Sequence, residues 1–241
     1  MKKHFIVLVL ASLMVSAAFA GYEEGMAAFR KGNYAAALKE LRPLAEQGHV
    51  RAQNNLGNMY SKGLGVPKNN KTAIKWLRLS ADQGHVRAQY NLGVVYSQEG
   101  PENDVKEAIK WYRLAADQGH ISAQYNLGVM YSQEGSENDD KEAIKWYRLA
   151  VEHGHIKAPN NLGQMYEGGQ GVQQDRIVAY ALFSISSALD EDEDDVSPEN
   201  LDAIAKEMSP TEIEIAKALA VEMSKQGNLL KALDAYLETR K

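Results

Sequence analysis

The sequence predicts an all-α fold, a superhelical α/α solenoid of helical hairpins that ends in a C-terminal helical cap. Three observations predict it. A block of 35 or 36 residues recurs four times, opened by Gly48-His49, Gly84-His85, Gly119-His120 and Gly154-His155. Inside each block the apolar residues fall at three- and four-residue spacing, the period of a helix buried along one side. After the last block the pattern breaks, and a strong helix start, Ser209-Pro210-Thr211-Glu212, follows an acidic run. One hairpin of this size cannot bury its apolar face alone, whereas stacked neighbours can, so such units come in arrays.

Residues 1–20 read as a signal peptide. Lys2 and Lys3 open it, an uncharged apolar run from Phe5 to Val15 follows, and Ala18-Phe19-Ala20 closes it with the small-residue pattern that signal peptidase cleaves. The apolar stretch is shorter than the roughly 20 residues needed to span a bilayer, which argues for cleavage before Gly21 over an uncleaved anchor. The short Lys-Lys start suits a bacterial export signal, so the expected compartment is the periplasm or the medium. Cleavage takes the net charge from −5 to −7. A mildly acidic balance disfavours a nucleic-acid partner. With no cysteine among 241 residues, disulfides, Cys-ligated zinc, iron–sulfur clusters, a thiol nucleophile and a lipidated N-terminal Cys are excluded. An apolar fraction of 44% excludes wholesale disorder.

Residues 21–48 form a first hairpin that turns at Gly32-Asn33-Tyr34 and places Ala37, Leu38 and Leu41 on its second helix. Four repeats follow over 49–190, at 49–84, 85–119, 120–154 and 155–190. The two central ones match at 27 of 35 positions. The first helix of each carries a stripe such as Ala52, Leu56 and Tyr60, with Gly57 beside it where a missing side chain admits the partner helix. Leu92-Gly93, Leu127-Gly128 and Leu162-Gly163 repeat the arrangement. The second helix carries Ala73, Trp76, Leu77 and Ser80, with Ala-Ile-Lys-Trp recurring at 108–111 and 143–146. The Gly that opens the next block suits the left-handed residue just past a helix end.

The pattern Ala-x-x-x-Leu-Gly-x-x-Tyr, then Gly-x-Gly-Val, then Ala-x-x-Trp, resembles the Sel-1-like repeat family, relatives of the tetratricopeptide repeats with a longer inter-helix loop. The resemblance implies a right-handed superhelix and extends over about 49–190, and residues 21–48 look like a tetratricopeptide-type hairpin. The first and fourth units keep the loop residues (Gly63, Gly65, Val66; Gly169, Gly171, Val172). The central two replace them with Gln-Glu-Gly and an acidic loop, and the fourth has Leu182 in place of Trp. Residues 191–241 then read as an acidic loop and capping helices. Asp190 to Asp195 fails as a calcium loop, because Asp195 stands where Gly is required and Leu201 where Glu is required. Ser209 as N-cap, Pro210 at N1 and Glu212 at N3 start a helix with Ile213, Ala216, Ala220 and Met223 on its apolar side, ended by Gly227. Leu229, Leu233, Tyr236 and Leu237 suggest one more. Family members often end in a similar Ser/Thr-Pro-x-x-Ile helix, which the resemblance reads as the cap.

No catalytic constellation survives inspection. His49, His85, His120 and His155 occupy one repeat position and read as structural. His153-x-His155 has no third ligand in sight and no H-E-x-x-H frame. G-x-S-x-G is absent, and Lys71-Thr72 follows Asn70 instead of a phosphate-loop Gly. The expected site is non-catalytic, with no cofactor and no metal: a concave groove lined by the first helices. Its residues are Arg51, Asn54, Asn55 and Asn58; Arg87, Tyr90 and Asn91; Ser122, Tyr125 and Asn126; and Lys157, Asn160 and Asn161. The Asn column (Asn55, Asn91, Asn126, Asn161) has two readings, a clamp on an extended peptide or a ladder between neighbouring helices. Tyr90 and Tyr125 stand where flanking units carry Asn, and aromatic anchors commonly carry binding energy. The resemblance implies an exported scaffold that binds a protein or peptide partner. The alternative is a cell-wall or β-lactam-binding or hydrolysing enzyme, as credited to a cysteine-rich branch of the family. This chain lacks those cysteines and shows no Ser-x-x-Lys. A third reading is a spacer with no groove ligand.

Overall fold

The structure is a computed structural model that describes residues 20–98, 104–134, 136–189, 197–225 and 227–240. The signal-peptide reading of 1–19, the acidic run 190–195 and the loop around Gly100 and Pro101 lie outside those residues. Among the described residues there are thirteen helices and no strand, and none of the helices is long and apolar enough to cross a membrane. The chain divides into two compact units, residues 1–118 and 119–241.

In the first unit, α1 (20–30) and α2 (Tyr34–Glu46) form the N-terminal hairpin around Gly32, whose φ of 74° only glycine takes without strain. Next come α3 (Val50–Lys62) with α4 (Asn70–Ala81), and α5 (Val86–Ser97) with α6 (Val105–Ala116). Each packs on its hairpin partner, and α2 meets α3 as α4 meets α5. Ala37, Leu41, Ala52, Leu56 and Met59 are buried in one cluster, and Leu77, Ala88, Leu92 and Trp111 in the next.

In the second unit, α7 (Ile121–Glu134) pairs with α8 (Glu137–Glu152), and α9 (Ala158–Gly168) with α10 (Arg176–Leu189). Three further helices follow: α11 (Ser197–Ala205), α12 (Pro210–Met223) and α13 (Leu229–Glu238). α11 and α12 pack on α10, and α13 on α12 and α8. Ile204, Ala216, Leu219, Met223 and Leu233 thereby join the core of the last repeat. Arg148 on α8 pairs with Asp234 on α13 at 2.5 Å.

The starts of the second helices share one device. Second helices are capped by short polar side chains, Asn69 (2.9 Å to the Thr72 amide), Asp104, Ser136 and Asp175. Ser209 and Glu212 complete a reciprocal capping box on α12. Two tail features differ from the sequence reading. α12 stops at Met223, and Gly227 (φ 68°) turns the chain into α13 instead of ending α12. α11 was not foreseen, because its nine residues are too short for a full apolar stripe to show.

Candidate functional site

First helices start on histidine. The Nδ1 atoms of His49, His85 and His120 accept from the amides of Ala52, Ala88 and Ala123 at 3.2, 3.2 and 3.3 Å. Only the neutral ring with its proton on Nε2 has that lone pair. The column is structural, and its role is an N-cap. The fourth unit departs: α9 begins at Ala158, Lys157 makes no side-chain cap, and Pro159 stands in the first turn. The His155 ring stacks on Tyr125, with centroids 4.2 Å apart and planes within 13°. Its Nδ1 is buried without a partner. Burial holds His155 below the ordinary histidine range, and Lys157 adds to this. Burial also depresses His85, with Arg87 and Arg51 adding positive charge. His153 and His155 have separate surroundings. The His153 Nδ1 lies 2.8 Å from Gln124 Oε1, and among the described residues no group of three or more His, Cys, Asp or Glu is placed to hold a metal.

The Asn residues connect neighbouring first helices. Asn91 Nδ2 donates to Asn54 Oδ1 at 2.9 Å, and Asn55 Nδ2 to the Tyr22 hydroxyl at 3.0 Å. In the second unit Asn161 Nδ2 donates to the Tyr147 and Tyr125 hydroxyls at 3.2 and 3.4 Å. Asn200 on α11 continues the series, donating to Asn160 Oδ1 at 2.9 Å. Asn54 and Asn160, read from sequence as solvent-facing, are therefore buried, 5% and 8% exposed. The following first helix, or α11 in its place, covers them. Asn200-Leu201 repeats the Asn-Leu step of the earlier units, so α11 stands where a further first helix would.

A second ladder had no counterpart in the sequence reading. Gln53 and Gln89, both buried, donate from Nε2 to the Ala45 and Ala81 carbonyls at the end of the preceding helix. Each accepts in turn from a glutamine past the end of the hairpin's second helix, Gln83 at 2.8 Å and Gln118 at 2.7 Å. The signal was present: Gln follows Ala in three units and becomes Pro159 in the fourth. That glutamine was assigned no role from sequence. The glycine reading holds. A Cβ on Gly57 would lie 2.6 Å from Leu77, and on Gly93, Gly128 and Gly163 2.4 to 2.7 Å from Tyr112, Tyr147 and Phe183.

What remains outward on the first helices is narrower than the expected groove. Arg51, Arg87 and Lys157 are exposed, while Asn58, Tyr90, Ser122, Tyr125 and Asn126 are half-buried. In the first unit the Arg51 guanidinium lies 4.7 Å from the Tyr22 ring centre, and the Tyr90 and Tyr112 rings are 5.8 Å apart. In the second unit Tyr125 sits between Tyr147 and His155. Arg51 thus lies over the Tyr22 ring in the first unit, and half-buried Tyr90 and Tyr125 leave one partly open ring on a first helix of each unit.

Residues 50–85, 86–120, 121–155 and 157–191 each match the family model of the Sel1 repeat. Among solved structures the chain is similar to a protective antigen present in uropathogenic Escherichia coli strains that displays an SLR fold. The two are 33% identical with a TM-score of 0.76, over 93% of this chain and 48% of that one. This chain therefore spans about half the length of that relative. It is also similar to a Sel1 repeat protein from Oxalobacter formigenes, with 30% identity and a TM-score of 0.62 over 91% of this chain and 98% of that one. The MamA protein, 22% identical with a TM-score of 0.53 over 80% of this chain and 96% of that one, shares the fold. No curated protein sequence matches the chain significantly.

Proposed function

This chain belongs to the Sel1 repeat family, and from that premise we propose that it is an exported, non-catalytic scaffold that binds a protein or peptide partner through the first-helix face of its repeats. One observation carries the reading. One repeat position holds Arg51 and Arg87 in one unit and Ser122 and Lys157 in the other, and the three basic residues stay exposed in a chain of net charge −5. The Arg51 guanidinium lies over the buried Tyr22 ring, and half-buried Tyr90 and Tyr125 lie on the first helices of the two units. Exposed cations beside aromatics favour a partner segment with carboxylates and apolar side chains. Three amides of the Asn column support this face indirectly, since Asn55, Asn91 and Asn161 donate to side chains of neighbouring first helices. Export rests on Lys2, Lys3, the apolar run and Ala18-Phe19-Ala20, and places the scaffold in the periplasm or the medium.

The test is in-cell crosslinking of the tagged protein, with identification of the captured partner. Two folded variants are run beside it, Tyr90→Ala with Tyr125→Ala, and Arg51→Glu with Arg87→Glu. Loss of the same partner from both is expected. Unchanged capture by both, with helical content intact, overturns the first-helix assignment. Nitrocefin turnover abolished by a single side-chain change overturns the non-catalytic reading.

A further inference from the structure

The second unit contains a cavity that the repeat-face reading does not use. It measures about 900 Å³ and lies where the C-terminal ends of α8, α10 and α12 meet the start of α13. Its apolar wall is formed by Val151, Ile185, Leu189, Met223, Leu229 and Leu230, and no aromatic ring among the described residues lines it. Leu189 is 50% exposed at the wall. Charge enters through three groups, Lys225, Lys231 and Glu152. Lys225 is paired with Glu222, and Lys231 forms no ion pair among the described residues.

We propose that this cavity takes one single-chain anionic amphiphile, a fatty carboxylate, with its alkyl chain against Ile185, Leu189, Met223, Leu229 and Leu230 and its head at Lys231. Three features select that class. The volume lies in the range that encloses one small ligand. The walls are aliphatic and thioether side chains that adapt to a bent alkyl chain, and they offer a flat ring or a sugar nothing to stack on. With Lys225 taken up by Glu222, Lys231 is the ammonium at the wall that is left to receive a negative head.

The purified full chain is titrated calorimetrically with decanoate, dodecanoate and dodecyltrimethylammonium, each below its micelle-forming concentration. Dodecanoate is expected to saturate at one per chain. It should bind about 15-fold tighter than decanoate, since each buried methylene contributes about fourfold. Lys231→Glu and Leu189→Glu change exposed side chains, so both should fold, and each should weaken dodecanoate at least fivefold. Absence of saturable binding, equal affinity for the cationic amphiphile, or unchanged affinity in both folded variants overturns the proposal. So does an acidic amphipathic helical peptide that occupies the cavity while dodecanoate does not.

Discussion

Replacing Gly128 with alanine tests the packing principle that shapes every hairpin. The added methyl would lie 2.4 Å from Tyr147 Cδ1 and 2.5 Å from Cε1, far inside van der Waals contact. The ring cannot yield easily. Tyr147 is 2% exposed, its hydroxyl receives the Asn161 amide at 3.2 Å and lies 3.3 Å from Ser132 Oγ, and its ring meets Tyr125. Overpacking of this kind costs about 1–3 kcal/mol or more, while glycine to alanine within a helix returns about 0.5–1 kcal/mol. The expected balance is a loss of about 2 kcal/mol, or roughly 6–10 °C in Tm for a unit of this size, read by circular dichroism at 222 nm. Gly168→Ala is the control, because its Cβ would meet nothing nearer than Gln170 at 3.5 Å, and it should be neutral or slightly stabilising. The cycle with Tyr147→Ala supplies a second reading: the truncation opens room for the methyl, so the double variant should lose clearly less than the two single losses combined. A Gly128→Ala protein as stable as the parent, or strict additivity with Tyr147→Ala, refutes the reasoning.

The histidine positions make stability depend on pH. Burial, aided by Arg87 and Arg51 for His85 and by Lys157 for His155, holds both below the ordinary 6.5. The unfolded chain therefore binds protons that the folded chain refuses. The contribution is intact above about pH 6.5 and is lost as pH falls from there toward the depressed folded values. Urea midpoints should drop between pH 7 and 5, and His85→Asn, which keeps a capping side chain but cannot titrate, should flatten that slope; an unaltered slope counts against the capping account. Gln89→Leu keeps the volume but removes the bonds to the Ala81 carbonyl and Gln118. It should cost about 1–3 kcal/mol in urea unfolding, and a variant as stable as the parent would show the glutamine ladder to be incidental.

Local patterns carried most of the fold. The 35-residue period, the turn glycine Gly32, the Ser209–Glu212 start and the close-approach glycines were all legible because each depends on residues a few positions apart or on a repeated register. The family membership followed from the same strings. The candidate face was only partly legible. The first-helix residues could be named, but the sequence left the Asn column with two readings and placed Asn54 and Asn160 in solvent.

Periodicity along the chain determined which residues form helices, where those helices start and which side of each faces its partner, since helix geometry converts spacing directly into faces. Tertiary structure decided how the polar residues beside those faces are used. Asn91 meets Asn54 from 37 positions away, and Asn200 meets Asn160 from 40. A buried amide must find whichever partner the neighbouring helix brings within reach. That partner is set by the stacking of hairpins, so burial of Asn54 and the cavity behind Leu189 came into view only once the hairpins were packed.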